Sequence, residues 1–156
     1  MRYLVIISVL VLVITSVCGA DVIKPLALSN RDVGGGRLNA YTAGVDNSRG
    51  GLNNIGLLIK SFGIVTYKDD TNKFFYVNDG SGLKDGSIHY EGAVAVDNVG
   101  LRVSYDNLAT GNYVNSPTVG SYIAVTGIST TVLVGTSVQP NLRPRNNDDV
   151  QTIHLP

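Results

Sequence analysis

The side chains that most often carry out catalysis are scattered along this chain. His89 and His154 lie far apart in sequence, and neither has a second His, a Cys or a paired carboxylate at the spacing of metal ligands. Ser81 lies in the sequence Asp-Gly-Ser-Gly, which differs from the Gly-x-Ser-x-Gly turn of a nucleophilic serine. Because carboxylates, bases and phosphate-binding groups are not grouped, the sequence predicts a protein that is not an enzyme and has no metal site or cofactor.

One polar segment, residues 78–85, has oxygen-bearing side chains at alternating positions and is loosely similar to a calcium-binding loop. An EF-hand loop requires glycine at its sixth position and a bidentate glutamate at its twelfth, and the spacing of this segment does not fit that pattern. A polar turn between two strands is therefore the favoured interpretation.

Rings and cations alternate with apolar residues in three segments, and this pattern indicates binding chemistry. Successive side chains of a β-strand face opposite sides of the sheet. Core positions for Phe75 and Val77 therefore turn Phe74 and Tyr76 outward, and a one-residue register error would reverse this assignment. In the first segment, Leu57, Ile59, Gly63 and Val65 are predicted to face the interior, which requires a bulge near Phe62. The side chains predicted to face outward are Lys60, Phe62, Ile64, Phe74, Tyr76, Arg102 and Ser104.

The elements that would position these side chains are β-strands. Straight-chain helix formers are scarce, and Glu91 is the only glutamate. No stretch shows helical periodicity. The predicted strands cover residues 55–67, 73–78, 99–105, 121–127 and 131–138, the last broken at Pro140 and Pro144 and resumed over 149–153. The sequence thus predicts an all-β protein.

The order of these strands resembles the OB-fold, a five-stranded Greek-key barrel. Three runs are similar to a family of exported bacterial OB-fold domains and to the broader nucleic-acid-binding OB group: residues 51–59 (GLNNIGLLI), 75–82 (FYVNDGSG) and 119–128 (VGSYIAVTGI). The segment Lys24-Pro25-Leu26 and the glycines at 34 and 35 resemble the leader of the exported family. Phe62 and Ile64 stand where that family is expected to have Trp and Arg.

The resemblance implies that the predicted outward side chains share one surface, because the first three strands of an OB barrel adjoin. On that surface, flat rings would stack on bases or on the apolar face of a sugar, and cations would track phosphates. The predicted ligand-binding residues, here called the predicted patch, are Lys60, Phe62, Phe74, Tyr76, Arg102 and Ser104.

Residues 1–20 have the pattern of a secretory signal peptide. Arg2 precedes an apolar run over residues 3–14, and Cys18-Gly19-Ala20 supplies small residues for cleavage. The run is shorter than the roughly 20 apolar residues of a membrane span. We therefore expect an exported protein with no transmembrane span in the mature chain, and an uncleaved N-terminal anchor is the alternative.

The remainder divides into an extended, glycine-rich leader over residues 21–54 and an OB-fold domain over residues 55–156. The leader is predicted to be a linker or a strap lying over the domain. Its triple glycine at 34–36 is interpreted as a flexible element. No strand feeds it and no Lys-Ser/Thr follows it, as a phosphate-binding loop would require.

The charge balance limits the class of partner. The chain has 12 Lys and Arg against 12 Asp and Glu, and loss of Arg2 with the signal peptide leaves 11 basic residues. Sequence-independent binding of nucleic acid usually requires a basic excess, so here it would depend on a local patch. The predicted function is an exported, non-catalytic binding module for single-stranded nucleic acid or another oligomeric ligand. The alternatives are an accessory module that docks carbohydrate or a protein partner at the cell surface, and a structural spacer.

Overall fold

Nine β-strands and two three-residue 3-10 helices make up the regular structure of the computed structural model, which describes residues 23–41, 44–45 and 51–154. The predicted signal peptide lies outside these residues. None of the described helices is long and apolar enough to cross a membrane. The strands are β1 (Leu26–Ala27), β2 (Leu58–Asp69), β3 (Phe74–Asn78), β4 (Lys84–Glu91), β5 (Val94–Val99), β6 (Leu101–Ser104), β7 (Tyr122–Val134), β8 (Ser137–Arg143) and β9 (Val150–Thr152). The helices cover Asn30–Asp32 and Asn147–Asp149.

The all-β prediction is confirmed, and most of the predicted strands lie within a few residues of the observed ones. β2, β3 and β6 correspond to the first three predicted strands, and β9 corresponds to the resumed segment. The end of the chain differs, because one strand, β7, contains the predicted fourth strand and the first part of the predicted fifth. The chain then turns between Val134 and Ser137 into β8. Pro140 does not interrupt β8, where it pairs with Thr131.

The hairpin of β4 and β5 is absent from the predicted strands. Its two strands pair only with each other and form a separate two-stranded sheet. Along β4 the polar side chains of Asp85 and Ser87 face the rest of the protein, whereas Ile88 and Tyr90 are exposed. Polar side chains thus face inward and apolar ones face solvent. Because strands are predicted from buried apolar positions, this pattern gives no strand signal in the sequence.

The other seven strands form one mixed sheet in the order β1-β2-β3-β6-β8-β7-β9, with a further pairing between β2 and β7. Five strands therefore pair in a cycle that runs from β2 through β3, β6, β8 and β7 back to β2. Within this cycle β6 and β8 are parallel, and the other pairs are antiparallel.

The long strand β2 passes from one partner to the next at Gly63. Its residues 58–64 pair with β7, and its residues 64–69 pair with β3. A Cβ atom on Gly63 would lie 2.2 Å from the carbonyl oxygen of Asn78, so only glycine fits at this crossing.

The main core lies on the inner face of the mixed sheet. Ile59, Val65, Phe75 and Val77 are fully buried in it, as predicted. The predicted inner position of Leu57 is wrong, because this residue precedes β2 and is exposed. The expected bulge near Phe62 is also misplaced: Ser61 and Gly63 keep the alternation there, and the register shifts between Val65 and Tyr67. The remaining apolar core residues include Val33, Leu101, Val103, Ile123, Val125 and Leu142.

The described part of the leader is a strap that packs onto this core. Val33 and Val45 are fully buried, and β1 pairs in parallel with β2. The interpretation of the triple glycine as a flexible element is wrong for Gly35. A Cβ atom there would lie 2.0 Å from the carbonyl oxygen of Leu52, so close packing is what requires the glycine.

Two buried asparagines attach the strap. The side chain of Asn30 donates to the carbonyl of Val77 (2.6 Å) and accepts from the hydroxyl of Ser61 (2.6 Å). The side-chain oxygen of Asn54 accepts from the backbone N–H of Gly34 (2.8 Å) and from the hydroxyl of Ser129 (2.9 Å). Side-chain amides therefore join the leader to the strands in addition to the short pairing of β1 with β2.

We expect Asn54→Ala to lower the free energy of unfolding by about 1–3 kcal/mol, because it leaves a buried N–H and a buried hydroxyl without an acceptor. Urea denaturation measures this change. Asn112→Ala is the control, since Asn112 is an exposed loop asparagine and its loss should stay within about 0.5 kcal/mol. Equal stabilities of the two variants would show that the amide of Asn54 does not anchor the strap.

Candidate functional site

The strand β2 places its part of the predicted patch on the outer face of the sheet. Phe62 is 57% exposed, and Lys60 and Ile64, on the same face, are half-buried. This arrangement follows from the alternation along β2, which sends Ile59, Ser61 and Gly63 inward. A ring and a cation are therefore accessible here as predicted.

The strand β3 does not present its rings to solvent. Phe74 is 9% exposed and Tyr76 is fully buried, so the predicted exposure of both rings is wrong. The alternation itself is right, since Phe75 and Val77 lie in the main core. Phe74 and Tyr76 face the opposite side, but the β4–β5 hairpin covers that side.

A polar network joins the hairpin to Tyr76. Its hydroxyl donates to Oδ2 of Asp85 at 2.5 Å and lies 2.8 Å from Oγ of Ser87. The amide of Asn98 donates to the same Ser87 oxygen at 2.8 Å, and its Oδ1 lies 2.8 Å from Nδ1 of His89. Burial, together with the hydrogen bond to Asp85, raises the pKa of Tyr76 above its ordinary value. Hydrogen bonds therefore make up part of the contact between the hairpin and the sheet, together with the stacking of His89 on Tyr67.

The strand β6 contributes Arg102 and Ser104, which lie beside the β3 rings. The guanidinium carbon of Arg102 lies 3.8 Å from the centre of the Phe74 ring. Ser104 is buried, so the prediction of a solvent-facing side chain is wrong, and its hydroxyl donates to Oδ1 of Asn141 at 2.9 Å. Of the predicted patch, then, Phe74, Tyr76, Arg102 and Ser104 cluster together, and Phe62 lies apart on an open surface.

The open surface around Phe62 is a groove with a volume of about 410 Å³. Tyr122, which is 45% exposed, pairs with Ile64, and its carbonyl accepts from the N–H of Ile153 at 2.8 Å. Phe62 pairs with Ala124, so the two rings stand diagonally on neighbouring strands, within reach of one bound ligand. The side chains around the groove are Phe62, Ile64, Asn78, Asp79, Tyr122 and Ile153.

Among the described residues of this lining, Asp79 is the only one with a charged side chain. Its carboxylate accepts from the backbone N–H of Asn30 at 2.7 Å and from that of Ser81 at 3.0 Å. Burial opposes its ionisation, but the hydrogen bonds outweigh burial and lower the pKa of Asp79. The groove therefore combines two rings with a fixed negative charge.

The predicted patch omits Tyr122 and Ile153, although a signal for Tyr122 exists in the sequence. Tyr122 alternates with the buried residues Ile123 and Val125, and that pattern turns its ring outward. Ile153 follows β9 directly, and its contribution depends on the pairing of β9 with β7. Such a long-range pairing has no local sequence signal.

The catalytic candidates of the sequence are not brought together. His89 stacks on Tyr67 with ring centres 4.1 Å apart, and Ser81 lies in the loop after β3. Over residues 23–41, 44–45 and 51–154, no three His, Cys, Asp or Glu side chains are grouped so that they could hold a metal ion. The residues of the calcium-like segment instead bond to neighbouring backbone N–H groups.

We expect the stability of the protein to fall as the pH rises above about 10, where an ordinary tyrosine ionises. The raised pKa of Tyr76 keeps its proton in the folded state, so unfolding releases that proton. The loss attributable to this group is up to about 1.4 kcal/mol for each pH unit. Urea denaturation between pH 9 and 11 measures it, and Tyr76→Phe should have a shallower slope. Parallel curves for the two proteins would contradict the assignment.

Comparison with known proteins adds no family to this description. No protein-family model matches the chain, and no curated protein sequence matches it significantly. The likeness to exported OB-fold domains therefore stays a prediction from the residues quoted above. What the site can bind has to be argued from its own geometry.

Proposed function

We propose that this chain is a non-catalytic binding module built on an OB-type barrel. The support is the cycle of pairings from β2 through β3, β6, β8 and β7, with one parallel pair between β6 and β8. An OB-fold is a five-stranded Greek-key barrel. It binds ligands on the outer face of its strands and at the adjoining loops. The strap and the β4–β5 hairpin would be additions to that barrel.

The groove beside Phe62 is the proposed ligand surface. The observation that carries this proposal is the pair of exposed rings, Phe62 and Tyr122, on neighbouring strands above an apolar concavity. An apolar pocket with a few fixed polar groups is the usual form of a ligand site. Here Asn78 and Asp79 supply the polar groups.

A neutral oligosaccharide is the ligand that fits this groove best. The apolar face of a sugar ring can stack on Phe62 and Tyr122, and its hydroxyls can donate to the carboxylate of Asp79. Nucleic acid fits this surface less well, because a phosphate would be repelled by the ionised Asp79 and no cation is found among the described lining residues. Export through the predicted signal peptide would place the groove where such polymers are met.

Single-stranded nucleic acid is the second candidate. Lys60 lies two residues from Phe62 on the same face of β2, so one base could stack on Phe62 while its phosphate contacts Lys60. The two candidates differ in their response to salt. Phosphate binding weakens steeply as ionic strength rises, and stacking on a neutral sugar hardly changes.

The test is a titration of the protein with a panel of neutral hexasaccharides and with fluorescein-labelled dT12, each at 50 and 200 mM salt. We expect saccharide binding that is insensitive to salt, with a loss of about tenfold or more in Phe62→Ala and in Tyr122→Ala. Removing a stacking ring costs about 1–3 kcal/mol for a base, and we take a similar value for a sugar.

Tyr113→Ala is the matched control, because Tyr113 is an exposed tyrosine that is not among the groove residues. It should bind as the unmodified protein does. Binding of dT12 alone, with a steep salt dependence and a loss in Lys60→Ala, would favour the second candidate. If saccharide binding is unchanged in both ring variants, the groove is not the ligand site.

A further inference from the structure

The β4–β5 hairpin rests on the outer face of β2 and β3 without joining their sheet. It shares no ladder of backbone hydrogen bonds with the seven-stranded sheet. Beyond the network around Tyr76, the hydroxyl of Thr66 donates to the carbonyl of Val99 at 2.5 Å. The opposite side of the hairpin is open, and Ile88 and Tyr90 are exposed there. An element that is held by side-chain contacts and one ring stack, shares no backbone ladder with its neighbours and is exposed on its other side is expected in the less stable part of a fold.

Beneath the hairpin lies a continuous row of rings. The centres of Tyr67 and Phe74 are 6.2 Å apart, and those of Phe74 and Tyr76 are 5.9 Å apart at right angles. His89 of the hairpin covers Tyr67, and Asp85 and Ser87 cover Tyr76. Movement of the hairpin would therefore expose aromatic surface next to Arg102.

Arg102 gives this covered surface a positive charge. Among the described residues, no carboxylate lies within 4.0 Å of its guanidinium. Its contacts there are the Phe74 ring and a long hydrogen bond of 3.4 Å from Nε to the hydroxyl of Ser104. A half-buried guanidinium beside rings, with no carboxylate within ion-pair distance among the described residues, suits a ligand that has both an aromatic ring and a negative charge.

The attachment of the hairpin allows it to move as a unit. Its two ends meet where the N–H of Gly100 donates to the carbonyl of Leu83 at 2.7 Å. Because the chain enters and leaves at one point, the hairpin can turn away while β3 and β6 keep their mutual pairing, which runs from Phe74–Ser104 to Val77–Leu101.

We propose that the β4–β5 hairpin is a displaceable cover over a second binding surface, formed by Tyr67, Phe74, Tyr76 and Arg102, and that this surface takes an aromatic anion of the nucleotide type. The proposal goes beyond the groove, which is open and negatively charged. The ligand would bind the uncovered state, so its apparent affinity would scale with the fraction of molecules in that state.

The first measurement is hydrogen exchange of the full chain without ligand. Backbone amides of residues 84–99 should exchange faster than those of β3 and β6. Tyr76→Phe keeps the ring but removes the hydrogen bonds to Asp85 and Ser87, and it should speed exchange in the hairpin about tenfold. Tyr105→Phe is the matched control, since it removes the hydroxyl of another buried tyrosine that contacts Asp70 and not the hairpin.

Two outcomes of this measurement would overturn the proposal. One is a hairpin that exchanges only at the rate of β3 and β6, which would mean that it opens only by global unfolding. The other is equal hairpin exchange in the Tyr76→Phe and Tyr105→Phe variants. Neither outcome depends on ligand, so failure here is distinguishable from failure of the groove as a saccharide site.

The second measurement is the fluorescence anisotropy of labelled dT12 at 50 mM salt. Tyr76→Phe should bind dT12 tighter than the unmodified protein by about the factor found in hydrogen exchange. Adding Arg102→Ala to that variant should remove the gain, and a neutral hexasaccharide should show no gain. Faster exchange without tighter dT12 binding, or a gain that survives Arg102→Ala, would contradict the assigned ligand.

Discussion

The close approach of β2 to the end of β3 at Gly63 is the constraint on which the rest of the structure depends. At this point one strand leaves β7 and joins β3, and there is no space for a side chain next to the carbonyl of Asn78. The crossing closes the cycle of five pairings. It also brings Phe62 to the same place as the loop of Asp79, so the groove is a direct consequence of the crossing.

The two surfaces on either side of this crossing have opposite electrostatic character. The groove has a fixed carboxylate and no cation in its lining, whereas the surface under the hairpin has Arg102 and no carboxylate within ion-pair distance in the described part of the chain. A chain whose charges nearly cancel can still discriminate between ligands, because selectivity depends on local charge and not on the net value. Near-neutral composition is therefore a weak guide to the ligands proposed for these two surfaces.

Much of the fold could be predicted from the sequence, because successive side chains of a core strand such as β3 face opposite sides of the sheet. That rule placed Phe75 and Val77 in the core and turned Phe74 and Tyr76 to the other side. It could not show that the other side is covered, since the cover is made by Asp85 and Ser87, residues that are typical of turns. The groove was half predictable: the orientation of Phe62 is local, but its proximity to Ile153 depends on the pairing of distant strands.

A polar cover has a physical consequence that an apolar one would lack. Had the hairpin packed Val or Leu side chains on Tyr76, opening it would expose new apolar area on both surfaces, at about 25 cal/mol for each Å². The hydroxyl of Tyr76 and the carboxylate of Asp85 can instead exchange their mutual hydrogen bond for bonds to water, so the net cost of separation is smaller. If either Tyr76 or Asp85 is replaced, the remaining group loses its hydrogen-bond partner, so the contact depends on both side chains. The inverted pattern of β4 thus favours the displaceable cover proposed above.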